Sequence, residues 1–167
     1  MPSIFFDGGC SPNPGPGYGA IVALDDEDRM LVEKAFRIGD WVSNNVCEYG
    51  ALLMGIKTAI EMKLRPVTFY GDSKLIVSQV NGSWRCKDSV LECWLARVWK
   101  ALTELEEYCI VWIPREQNER ANSIVQAARA RDERGKSIEE SQGNIDYRMR
   151  GVDYARDAVS GVSYRRR

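Results

Sequence analysis

Apolar and polar positions alternate along this chain in patterns that mark out its elements. A short apolar run over residues 3–6 reads as a strand buried on both faces, and Asp7 interrupts it. The Gly/Pro-rich stretch Asn13-Pro14-Gly15-Pro16-Gly17 follows. It is expected to be a loop, because Pro fixes φ and lacks a donor while Gly supplies unusual dihedrals. Residues 18–24 and 30–38 read as two further strands, joined by the acidic turn Asp25-Asp26-Glu27-Asp28, so the first three strands form an antiparallel meander. Ser43-Asn44-Asn45 supplies capping residues for a helix whose apolar face is Tyr49, Leu52, Leu53, Ile56 and Ile60. A β-rich run over 66–71 ends at Asp72, and Asp72-Ser73 caps a helix over 74–80. Asn81-Gly82-Ser83 breaks the chain before a long helix expected over 88–107, with Leu91, Leu95, Val98, Leu102 and Leu105 as its buried stripe. Residues 109–113 read as a fifth strand and 119–131 as a last helix, packed through Ala121, Ile124, Val125 and Ala128.

Right-handed crossovers place the fourth and fifth strands parallel to the first and on its other side. The expected architecture is an α/β fold with a five-stranded mixed sheet, three strands antiparallel and two parallel. The ends of the first and fourth strands then lie side by side, with the first helix across them. That arrangement lets Asp7, Glu48 and Asp72 meet. Each has a plainer reading by itself. Asp7 is a solvated residue of a hairpin, Asp72 an ordinary N-cap, and Glu48, one residue off the apolar stripe, a solvated side chain at the edge of the buried face.

Composition narrows the chemistry. The chain has 167 residues, 44% of them hydrophobic, which suits one soluble domain, and no apolar run reaches the length of a membrane span. No secretory signal is apparent, so a cytoplasmic location is expected. It contains no histidine, which excludes His-dependent triads and His-ligated zinc. Its five cysteines are irregularly spaced without a C-x-x-C, as expected of reduced, mostly core residues. A net charge of −1 confines any basic patch to a local one. After about residue 131 apolar residues thin out, so 1–130 is read as the domain and 131–167 as a tail, partly disordered or packed on the body. Trp84, in a loop near Arg85 and Lys87, is the better candidate for base stacking, with Trp94 and Trp99 read as core or flank. Converging carboxylates repel one another unless cations lie between them. Two Mg²⁺ about 4 Å apart would supply those cations and clamp an in-line phosphoryl displacement. Oxygen-only ligands favour Mg²⁺ or Mn²⁺ over zinc.

At this point the chain resembles type 1 ribonuclease H. The matching pieces are Asp7-Gly8-Gly9-Cys10 with 13–20, then 43–48 ending in Glu48, then Tyr70-Gly71-Asp72-Ser73, then 114–122 ending in Asn122. They fall in family order over about residues 1–130. The resemblance implies the RNase H-like fold with helices on both faces, and endonucleolytic cleavage of the RNA strand of an RNA–DNA hybrid. It implies two Mg²⁺ (Mn²⁺ substituting), no organic cofactor, no membrane partner and a monomer. Asp7, Glu48 and Asp72 match three of four catalytic, metal-binding carboxylates. Gly8, Asn13, Asn44 and Asn45 match positions that meet nucleic acid around its minor groove, where amides suit 2′-hydroxyls and base edges. Ser43 matches a residue that binds a DNA-strand phosphate, and simple helix capping is compatible with that role.

The chain departs from the family pattern in three places. Asn122 stands where the fourth catalytic carboxylate, an Asp, is expected. An engineered inactivating change and a naturally weak or silent protein are both compatible with it, and a catalytically silent hybrid- or duplex-binding module is the alternative function. The loop that often carries a His is here the shorter 114–117. Residues 81–90 lack the Lys/Arg run of members with a basic protrusion, which implies modest hybrid affinity.

Overall fold

The computed structural model describes residues 1–133; the expected tail lies, from residue 134 on, outside them. Its elements follow the predicted order. Strands β1 (Ser3–Cys10), β2 (Gly15–Leu24) and β3 (Met30–Val42) are followed by helix α1 (Asn44–Glu61). Strand β4 (Val67–Gly71), helices α2 (Lys74–Val80) and α3 (Ser89–Leu102), strand β5 (Tyr108–Trp112) and helix α4 (Glu119–Glu133) complete the described chain. The sheet runs β3-β2-β1-β4-β5, with the first three strands antiparallel and β4 and β5 parallel to β1. The main core packs α1 and α3 against Ile4, Phe6, Ile21 and Phe69 of the sheet. A smaller cluster packs Val125 and Ala128 of α4 on Tyr18 and Ala20. Alternate residues of β2 therefore feed two layers, as the period of a strand requires. Among the described residues no helix is long and apolar enough to cross a membrane.

β1 continues past Asp7 to Cys10, so Asp7 lies within the strand rather than at its end, and two further boundaries differ from expectation for local reasons. β2 begins at Gly15, inside the stretch read as a loop. Gly15 pairs with Val42 and Gly17 with Cys10, and register shifts on either side of Gly17 take up Pro16, which has no N–H to give to a ladder. α3 stops at Leu102, although Leu105 continues its apolar spacing. Glu104 and Leu105 donate to the carbonyls three residues back, which tightens the last turn. Glu104, Glu106 and Glu107 also crowd the end where the helix dipole disfavours anions. The cysteines are all free, but Cys93 and Cys109 are exposed, unlike buried Cys10, Cys47 and Cys86.

Candidate functional site

Register brings the first two carboxylates together. In the parallel pair Phe5 lies opposite Tyr70, with their rings stacked 5.0 Å apart, so Asp7 and Asp72 lie level, each two residues further on. Glu48 arrives from α1, and Gly8 is the reason it can. A Cβ at Gly8 would fall 2.2 Å from the carbonyl carbon of Cys47 and 2.5 Å from the Glu48 nitrogen. Only a residue without a side chain lets the helix backbone approach the strand this closely. The three residues each offer a carboxylate oxygen, and these oxygens lie within 4.8 Å of one another.

The cluster is electrostatically strained. Asp7 is 8% and Glu48 9% exposed. Burial and then the charge of Asp72 push the Asp7 carboxyl up to about 6, against relief from the Gly8 N–H and from Arg115. Burial, followed by Asp7 and Asp72, holds the Glu48 carboxyl well above the usual range, again eased by Arg115. The second carboxylate oxygen of Glu48, Oε2, is buried without a hydrogen-bond partner among the described residues. An orphaned, buried carboxylate oxygen beside two more carboxylates is a donor set suited to a hard divalent cation. The solvated reading of Glu48 is thereby corrected. α1 is buried almost all round from Val46 to Ala59, since it lies on β1 and β2 and under α3, so being one residue off the stripe does not reach solvent. Asp72 is not the cap of α2 either, because Ser73 Oγ accepts from the Ile76 N–H and leaves the Asp72 carboxylate free of that role.

The amides form a second group. The Cys10 N–H donates to Asn44 Oδ1 at 2.9 Å, and the Asn44 N–H donates to Asn13 Oδ1 at 3.1 Å. Both oxygens face inward and tie the β1–β2 connection to the start of α1, while both residues remain exposed. Asn45 follows half-buried, and Ser43 caps the helix, its Oγ accepting from the Val46 N–H at 3.3 Å. Gly8 has the packing role just described. Trp84 is 46% exposed on the α2–α3 connection.

Asn122 lies in the first turn of α4, and its Oδ1 is engaged. Arg115 Nη2 donates to it at 3.2 Å and Gln126 Nε2 at 2.9 Å. Arg115, the positive charge felt by Asp7 and Glu48, thus links residue 122 to the cluster. The sequence marks Arg115 only as part of the 114–117 loop and assigns Asn118 no role of its own. Asn118 is buried, donates from Nδ2 to the Phe6 carbonyl at 2.9 Å, and accepts at its own carbonyl from the Asn122 N–H. It fixes α4 against the residue next to Asp7. The sign that could have found it is an amide at the end of a loop, immediately before a helix.

The chain belongs to the Reverse transcriptase-like family, which it matches over residues 5–128, and its fold is that of RNase H1. It is 33% identical over 123 residues to the bifunctional protein Rv2228c of Mycobacterium tuberculosis, covering 73% of this chain and 34% of that one. It is 31% identical over 124 residues to ribonuclease HI of Halobacterium salinarum, covering 74% and 62%. The chain therefore spans less than two thirds of the length of either relative. Among solved structures, LC11-RNase H1 in complex with RNA/DNA hybrid superposes with a TM-score of 0.74 at 31% identity, covering 79% of this chain and 99% of that one.

Proposed function

We propose that this chain is a ribonuclease H-type endonuclease site for RNA–DNA hybrids, weakened at its fourth ligand. The observation that carries the reading is the cluster of Asp7, Glu48 and Asp72 with its orphaned Glu48 oxygen. These residues would hold two Mg²⁺, with Mn²⁺ able to substitute. Bound there, the ions supply activation of a water and stabilisation of the leaving oxygen in phosphoryl displacement. Asp7 offers its carboxylate from within β1, Asp72 from the bend after β4, and Glu48 from a helix held on Gly8. Exposed Asn13 and Asn44, with Asn45 beside them, would meet the 2′-hydroxyls that distinguish RNA from DNA. The likeness to a protein solved on an RNA/DNA hybrid supports that partner. Asn122 supplies no negative charge, and its oxygen already receives Arg115 and Gln126. That engagement favours a second reading, a silent hybrid-binding module.

Single-turnover cleavage of a labelled hybrid in Mg²⁺ separates the two. Asn122→Asp is expected to raise the rate while hybrid affinity stays nearly constant. Equal rates in the two forms would remove residue 122 from the ligand set. Parent that binds hybrid and leaves it intact would make the silent module the function of this sequence.

A further inference from the structure

Two of the three clustered carboxylates are carried on backbone that regular structure holds. Asp7 lies within β1, and Glu48 lies in the first turns of α1. Asp72 does not share that support. It occupies the bend between Gly71, the end of β4, and Ser73, the cap of α2, and it is the least buried of the three. Its place depends on whatever fixes that bend.

β5 approaches it from outside. Trp112 pairs with Gly71, and the Ile113 N–H donates to the Gly71 carbonyl at 3.0 Å. The next carbonyl, that of Asp72, receives the Trp112 indole Nε1–H at 3.0 Å. The side chain thus continues the ladder for one residue after the backbone pairing stops. Lys74 holds its ammonium 5.8 Å from the centre of the same ring, bracing the indole from the start of α2. Core burial does not account for a tryptophan here, since Trp112 is 45% exposed on an edge strand. Its indole N–H goes instead to the metal-ligand candidate whose backbone is least supported.

We infer that Trp112 is a positioning residue: its indole N–H fixes the Asp72 backbone, and so sets the third carboxylate at the spacing a divalent cation needs. The inference rests on the cation-binding reading above. Ligands oriented by an outer hydrogen bond bind metal more tightly than the same ligands left free, because less ordering remains to be done on binding.

The test is calorimetric titration of the full chain with Mn²⁺, at a temperature where every variant is folded, alongside melting in EDTA. Trp112→Phe keeps a ring on the strand edge and removes the N–H. It is expected to weaken Mn²⁺ binding about three- to tenfold, the worth of one hydrogen bond acting on a ligand. Val111→Ala alters a neighbouring exposed residue of the same strand and is expected to bind as the parent does. Parental affinity in Trp112→Phe overturns the inference, whatever happens to its melting temperature. So does an equal loss in Val111→Ala, which would assign the effect to the strand edge rather than to the N–H. A parent that takes up no Mn²⁺ overturns the cation reading itself, which separates the two failures.

Discussion

Asp132, in the last described turn of α4, accepts from the Tyr18 hydroxyl and from Arg37 Nη1 at 2.7 Å, and these partners hold its carboxyl below the usual range. Asp7, in β1, meets burial and a second carboxylate, which push its own up to about 6. Both side chains belong to residues that anchor the same sheet. The first corner is closed: a phenol and a guanidinium satisfy the charge, and the contact holds α4 on β2 and β3. The second is open, with three carboxylates eased by Arg115 and an oxygen that nothing in the described residues satisfies. A folded chain keeps such an unpaired cluster at the cost of stability, and a bound cation removes that cost. Protein groups complete the α4 corner, whereas the carboxylate cluster beside β1 and β4 keeps a buried oxygen without a partner among the described residues.

The sharpest way to break this contrast is to move the helix off the strand. Gly8→Ala puts a methyl 2.2 Å from backbone in α1, which a side-chain rotation cannot relieve. A loss of about 3 kcal/mol or more is expected in urea unfolding, at the upper end of overpacking effects. A near-neutral result would mean that Glu48 is not held by close backbone approach.

The next effect is a pH dependence. Folding raises Asp7 from 3.8 to about 6, so between those values the folded chain binds more protons than the unfolded one. The favourable contribution is full below the unfolded value and is lost as pH rises through the folded one. The span corresponds to on the order of 3 kcal/mol before coupling to Glu48 and residual exposure reduce it. Melting in EDTA should therefore fall from about pH 4 to pH 7. Saturating Mg²⁺ should oppose the fall, and Asp7→Asn should flatten it. An EDTA profile that rises over this range would show that the cluster is not strained.

Glu48→Gln tests the same strain with a smaller expected change. It removes one of three like charges and gives the cluster an amide donor. In EDTA the variant should be more stable by about 1–2 kcal/mol. The rise in melting temperature that Mg²⁺ gives the parent should disappear. Destabilisation in EDTA would mean that the Glu48 carboxylate has a satisfied structural role.

Much of this site is legible in the residues. A short apolar run meeting a carboxylate, repeated at Asp7 and Asp72, marks both acids, and the right-handed crossover sets their strands side by side, although β1 runs on to Cys10 and leaves Asp7 within the strand rather than at its end. Glu48 is harder to read. Helical periodicity measures one face, but α1 is covered by the sheet and by α3, so a residue beside the stripe is as buried as one on it. The close approach at Gly8 is a long-range fact that no local pattern carries. Pro16 in a strand is invisible for the opposite reason: local chemistry argues against it, and a register shift overrides the local rule. Arg115, Asn118 and Trp112 act across chain separations of 40 residues or more on Asp7, Phe6 and Asp72. Their residue types alone say nothing of those partners.

The smallest expected effect belongs to the closed corner. Asp132→Asn removes the charge that Arg37 faces and keeps an oxygen for the Tyr18 hydroxyl. Arg37 retains Asp40 as an ion-pair partner, and its guanidinium stays near the Tyr18 ring, 5.7 Å from the centre. Both members of the Arg37–Asp132 pair are substantially exposed, so water screens what is lost and replaces part of it. A slight drop in melting temperature is expected at low ionic strength. It should vanish in about 1 M salt, where the screening length falls to about 3 Å. The response to Mg²⁺ should be that of the parent, because Asp132 takes no part in the carboxylate cluster. The decisive measurement is the Mg²⁺-induced shift compared between Asp132→Asn and Glu48→Gln under the same conditions. If Asp132→Asn also abolished the shift, the two ends of the sheet would be coupled, and the carboxylate cluster could not be treated as a separate cation site.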